Sequence, residues 1–235
     1  MTERDFKLDK RIKVKSEDHI YHLHQYGVDL LKNHIYMMGV DRGYEVAEGT
    51  DEPGVDFVMS ERLIKNIQLC MSVNSTESIV IHMKTNGGDW HEGMAIYDAI
   101  KSCPTPVTIL NYTHARSMSS IIMQAANKKV TMPHGTFMFH DGDMATYGTM
   151  KQVESDVEFY SKTREIMLGI YVNAMAEKGV FKNNSERKRW LVNRMDKKED
   201  VYLTAEQAVE YGFFDHIFDG NWAKLTEYTE KELAR

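Results

Sequence analysis

The chain has 235 residues, 42% of them hydrophobic and 27% charged, with a net charge of -6 at pH 7. That length suits one large domain whose core needs neither disulfides nor metal. The acidic balance excludes the basic stripe with which a nucleic-acid-binding surface neutralises phosphates.

Residues 1–18 are charged and aperiodic and read as a mobile N-terminal arm, with no apolar signal region behind Met1-Thr2-Glu3-Arg4-Asp5. Leu30 to Gly39 reads as an opening strand, and residues 40–54 as an acidic loop inserted before the first helix. Phe57, Leu63, Ile64, Ile67 and Met71 recur at helical spacing and predict an amphipathic helix over 57–73. Ser78 to Lys84 is a buried-type strand running into Asn86-Gly87-Gly88. A helix over 92–102 must stop before Cys103-Pro104-Thr105-Pro106, where proline enforces extended backbone. Val107 to Leu110 is strand, 117–127 helix, and 129–132 and 136–139 are short strands. A long helical stretch covers 152–176 and a shorter one 205–211, closed by Gly212. Strands alternating with helices predict an α/β fold with a largely parallel sheet. Residues 19–220 then form a single domain and 221–235 a solvated tail. No apolar run approaches the roughly 20 residues of a membrane span. Cys70 and Cys103 form no CxxC pair, so free thiols in a cytoplasmic protein are expected.

Three segments end strand-like runs with chemically useful groups: Asn86-Gly87-Gly88, Ala115-Arg116-Ser117-Met118 and Phe137-Met138-Phe139-His140. They offer a backbone that accepts close approach, a serine hydroxyl and an imidazole. Singly, Ser117 also reads as a helix N-cap, His140 as a packed histidine, and Asp196, between Met195 and Lys197, as part of a solvated charge run. His19, His22 and His24 lack a closing set of metal ligands, so no metal and no other cofactor is expected.

The ordered set, followed by Thr204-Ala205-Glu206-Gln207-Ala208-Val209-Glu210-Tyr211-Gly212, resembles the proteolytic subunit of the Clp protease from about Leu30 to Ile217. Gly93-Met94-Ala95-Ile96-Tyr97-Asp98 is similar to that family's first helix. The resemblance implies a ClpP/crotonase-like fold, a twisted sheet core with a protruding helix-strand handle over about 141–176. It implies a serine endopeptidase with Ser117 as nucleophile, His140 as base and Asp196 as acid. Asp200 is the alternative acid, reached by reading back without gaps from the 204–212 helix. It also implies an oxyanion hole from the N–H groups of Gly88 and Met118, and substrate contacts at Gly87, Gly142, Asp143 and Met144. The partners implied are copies of the chain, as a heptameric ring or two stacked rings, an AAA+ unfoldase and unfolded polypeptides. Three departures from the family pattern stand out: Arg116 replaces a small residue, Ser119 a glycine, and Asp141-Gly142 a Gln-Pro pair. Other readings of the same residues are a non-catalytic ring subunit, a crotonase-like enzyme for acyl thioesters, and a Ser-Lys peptidase using Lys128 or Lys129.

Overall fold

A computed structural model describes residues 16–38, 54–74 and 76–235. Most of the expected arm and of the 40–54 insertion lies outside the described residues. Where description begins, Ser16–Tyr26 is already a helix, α1. The strand β1 (Val28–Asp29) turns back antiparallel onto β2 (His34–Met38), so the opening strand is shorter than 30–39. Asn33, at φ 54°, makes that turn and is itself buried.

From β2 the chain winds through α2 (Phe57–Val73), β3 (Ile79–Thr85), α3 (Trp90–Lys101) and β4 (Val107–Arg116), with β2, β3 and β4 parallel neighbours. Each helix start has a side-chain cap: Asp56 accepts from Met59 N–H at 2.9 Å and Asp89 from Glu92 N–H at 3.0 Å. β3 alternates between two faces. Ile79, Ile81 and Met83 enter the main core, with Ile67 and Ile96 of the covering helices. Val80 faces the opposite side with Leu110 and Val130. A run buried on both faces explains why β3 reads as continuous apolar sequence rather than as alternation.

β4 spans ten residues, six more than the expected Val107–Leu110, because it serves two partners. Thr108 to Asn111 pairs with β5 (Lys128–Thr131), and His114 to Arg116 pairs with β6 (Thr136–Phe139), both parallel. The sheet therefore forks along β4. One branch continues through β5 to β8 (His216–Ile217). The other continues through β6 to an antiparallel β7 (Val201–Leu203). Between β4 and β5 lies a short helix, α4 (Met118–Ile122), closed by a 3-10 turn over Met123–Ala125, rather than one helix to 127.

The long helix α5 (Met150–Met175) opens with a capping box in which Thr149 and Gln152 satisfy each other's backbone. Its first half is exposed, and its second half enters the core at Met167, Leu168, Tyr171 and Met175. α6 (Asn184–Lys198) was not apparent in the sequence; its buried side is only Arg187, Leu191 and Met195, too sparse for periodicity to reveal. α7 (Ala205–Tyr211) is capped by Thr204 and ends at Gly212 in the left-handed conformation. Phe213 then stacks on Phe137 beneath β6, and Phe214 meets the same ring edge-on.

The expected solvated tail is instead docked. A 3-10 turn (Trp222–Leu225) and α8 (Glu230–Leu233) cover the second face of the sheet, where Leu225 completes the cluster of Val80, Leu110 and Val130. Arg235 reaches Asp215 with two hydrogen bonds, 2.7 and 2.9 Å.

Candidate active site

Ser117 is the single residue between β4 and α4, and its backbone is at φ 50°, ψ -127°. Positive φ costs a serine on the order of 1–3 kcal/mol and persists only where the surroundings over-determine it. Here they do. Ser117 N–H donates to Met138 O at 3.1 Å, extending the β4–β6 ladder by one rung. Its carbonyl accepts from Ser120 N–H at 2.9 Å and from Ser120 Oγ at 2.6 Å. Ser120 Oγ in turn accepts from the phenol of Tyr171 at 2.6 Å, and complete burial pushes that phenol's pKa up, so it stays a neutral donor. Ser119 Oγ donates to Thr85 O at 3.0 Å, tying α4 to the end of β3. The Ser117 hydroxyl makes no capping bond, which leaves it for the imidazole.

His140 follows the last residue of β6, and Ser117 Oγ lies 2.8 Å from its Nε2. On the other side of the ring, Nδ1 is 3.1 Å from Asp200 Oδ1. This corrects the expectation for Asp196. Asp196 lies exposed within α6, and the carboxylate within hydrogen-bond distance of the imidazole is that of Asp200. Asp200 comes after the helix has ended at Glu199, where φ is 54°. The antiparallel register pairs Phe139 with Val201, so the residues just beyond the pair, His140 and Asp200, fall side by side. With Asp200 accepting from Nδ1–H, Nε2 is left unprotonated to accept from the serine.

The glycine turn presses on the serine from β3. A Cβ at Gly87 would lie 2.6 Å from Arg116 O and 2.7 Å from Ser117 Cβ, so only glycine fits. At Gly88, φ is 152° and a Cβ would meet Val55 O at 2.3 Å. Val55 N–H donates to Gly87 O at 2.6 Å and Asp89 N–H to Val55 O at 2.8 Å. In such a parallel bridge the N–H of the intervening residue, Gly88, points away from Val55. Met118 is held against Gly93, where any Cβ would strike its side chain.

A cavity of about 620 Å³ opens beside these groups. Ser117, Met118, Gly88 and His140 line it, with Trp90 and His91 of α3 on one wall and Phe159, Tyr160 and Met167 of α5 on the other. Gly142 and Asp143 line it too. Gly87 and Met144 do not: Gly87 is packed on the backbone of Ser117, and Met144 is exposed outside the cavity. The segment 141–149 pairs with no strand among the described residues of the same chain, and Gly142 within it has φ 82°.

Four residues weighed for the site take other partners. The Arg116 guanidinium lies over the ring of Tyr202, 5.5 Å from its centroid, in the cross-strand row Arg116, Met138, Tyr202. Asp141 is held bidentately by Arg164, with bonds of 2.7 and 3.1 Å. Lys129 Nζ donates to Gly212 O at 2.9 Å and Lys128 Nζ to Lys224 O at 3.0 Å, so neither is bonded to Ser117 and the Ser-Lys alternative loses its base. Ser120, Tyr171 and Arg164 went unnoticed in the sequence, and Ser119 was read only as a departure from the family pattern. Two adjacent serines inside the apolar run Met118–Ile122 were the available signal.

The pattern of the Clp protease family matches residues 52–221. The chain is similar to an ATP-dependent Clp protease proteolytic subunit of Deinococcus radiodurans, 25% identical over 70% of this chain and 76% of that one. It is 27% identical to proteolytic subunit 1 of Corynebacterium jeikeium, over 69% and 82% of the two chains. Against proteolytic subunit 2 of Treponema denticola the figures are 29%, 68% and 75%.

Proposed function

The chain belongs to the Clp protease family, and from that membership we propose that it is a working serine endopeptidase, with Ser117, His140 and Asp200 as its triad. The observation that carries this reading is the unbroken relay from Asp200 through His140 to Ser117, ending on a strained turn at the floor of a cavity. Ser117 Oγ attacks the scissile carbonyl. His140 takes the hydroxyl proton on Nε2 and returns it to the leaving amine. Asp200 keeps the proton on Nδ1 and stabilises the imidazolium. The N–H groups of Gly88 and Met118 bind the oxyanion, each such donor contributing about 10²- to 10³-fold in turnover. Water then hydrolyses the acyl-enzyme by the same proton path, and no cofactor is required.

The same membership supports a cytoplasmic ring of identical subunits that encloses the sites, fed with unfolded polypeptides by an AAA+ unfoldase. The chain carries no phosphate-cradling motif, so ATP use belongs to that partner. Among the described residues no helix is long and apolar enough to cross a membrane.

Labelling with a fluorophosphonate serine probe tests the proposal. Wild type should label, and Ser117→Ala and His140→Ala should not. An assembled oligomer, verified by light scattering, that fails to label would overturn the catalytic reading in favour of a structural ring subunit.

A further inference from the structure

The cavity beside Ser117 combines two kinds of wall. Aromatic faces come from Trp90, Phe159 and Tyr160. Carboxylates come from Asp89, Asp141, Asp143 and Asp156, against a single guanidinium, Arg164. These charges do not cancel. Arg164 is bound bidentately to Asp141, so that pair is neutral as a unit. Asp89 is committed to the first turn of α3, where it accepts from Glu92 N–H. Asp143 and Asp156 remain, and neither forms an ion pair with any described lysine or arginine. Asp156 is held in place by the hydroxyl of Thr146, on the loop that follows His140. Phe159, one turn along α5 from Asp156, stacks on His91 at 5.5 Å between centroids, which fixes the ring beside the carboxylate.

From this arrangement we propose that the cavity selects polypeptide segments carrying a lysine or arginine side chain next to the bond to be cut, with Asp143 and Asp156 as the specificity-determining residues. A guanidinium or ammonium lying between an aromatic face and a carboxylate gains from both the ring quadrupole and the opposite charge. A cleft with low-dielectric walls concentrates the field of its carboxylates on whatever enters. A glutamate in the same place meets like charge, and a leucine gains only from the rings. The proposal rests on the peptidase reading of the site for its meaning, though not for its measurement.

The full chain carrying Ser117→Ala serves for the test, with fluorescein-labelled unstructured peptides of equal length bearing arginine, leucine or glutamate at matched positions. Fluorescence anisotropy at low salt should show the arginine peptide binding about tenfold or more tighter than the glutamate peptide, an advantage that shrinks as salt screens it. Asp143→Asn with Asp156→Asn should bring the three peptides close together, and Asp156→Lys should reverse the order. Equal affinities, or an arginine preference unmoved by these variants, would overturn the proposal. Fluorophosphonate labelling of the wild type separates the two readings: a cationic preference without labelling leaves the recognition standing and removes the catalysis, and labelling without a charge preference does the reverse.

Discussion

Two aspartates four positions apart make opposite predictions. Asp200→Asn keeps the shape of the relay but leaves Nδ1 without an anion, so turnover should fall by about 10⁴-fold, the scale known for such triads. Asp196→Asn, on the exposed side of α6, should leave peptide hydrolysis within about twofold of wild type. A fall in the second and not the first would reassign the acid. Ser117 and His140 were legible through the segments around them, Ala115-Arg116-Ser117-Met118 and Phe137-Met138-Phe139-His140, rather than from either residue alone. The acid was not, since it lies in a run of charges, Asp196 to Asp200, where composition cannot distinguish one carboxylate from another. Counting back from the Thr204 helix start reaches the carboxylate that His140 meets, because only Val201 to Leu203 of β7 lie between Asp200 and that cap.

His82 is the second residue with a sharp expectation. Burial pushes its pKa down to about 4, and it is stacked on Tyr36 and bonded to both His34 and Tyr112. An unfolded chain takes up this proton near pH 6.5, whereas the folded one refuses it until about pH 4. The unfolded state therefore binds more protons across that window, and stability falls as pH drops through it. The loss reaches roughly 3 kcal/mol at most, at about 1.36 kcal/mol per unit of pKa. Urea denaturation at pH 7 and pH 4.5 should show a smaller difference for His82→Phe than for wild type, and an unchanged difference would refute the assignment.

At the scale of elements, β6 is the piece on which the site depends, since its end carries His140 and its carbonyls extend the ladder to Ser117. It has four residues and cannot be rigid alone. Its firmness comes from the aromatic nest beneath: Phe137 stacked on Phe213 at 4.4 Å, with Phe214 and Tyr171 edge-on. Phe213→Ala should cost about 3–5 kcal/mol. It should also slow fluorophosphonate labelling in protein that is still folded, as near-ultraviolet circular dichroism would verify. The parallel sheet was readable from alternating strands and helices. The fork in it was not, because pairing of one strand with two partners leaves no local signature; the extra length of β4 past Leu110, through Asn111-Tyr112-Thr113-His114, is polar enough to pass for a loop. α6 escaped for a related reason, its charged face outweighing three buried residues.

For the molecule as a whole, the docked end segment changes which parts hold together. Leu225 closes the second apolar cluster, and Thr108 Oγ1 bonds to both Leu225 O and the Tyr228 phenol, at 2.7 Å each. Arg235, bonded to Asp215, also reaches Asn127 O at 2.8 Å, while Lys101 Nζ donates to Arg235 O at 2.8 Å. Burial raises the Asp215 pKa, but the Arg235 hydrogen bonds, the charges of Lys129 and Arg235 and the Lys129 N–H together hold it below the usual carboxylate range, so it remains an anion beside the buried Lys129. The segment thereby joins the ends of α3, β4 and β5. Leu225→Ala should cost about 2–5 kcal/mol in thermal or urea unfolding, and a loss below 0.5 kcal/mol would mean that the segment is dispensable. Such docking is invisible in a stretch of sequence as polar as Thr226 to Glu232, because its partners are backbone carbonyls and a sheet face far away in the chain.

The left-handed backbone at Ser117 has one more consequence, and it is historical. Glycine would sit at that position without strain, so Ser117→Gly should melt at a higher temperature than Ser117→Ala, despite presenting less side chain to the core. A lineage that stopped using the hydroxyl would gain by losing it, and chance substitution would carry the position toward glycine. The melting difference between the two variants measures how strongly drift would favour glycine over serine once the hydroxyl had no use.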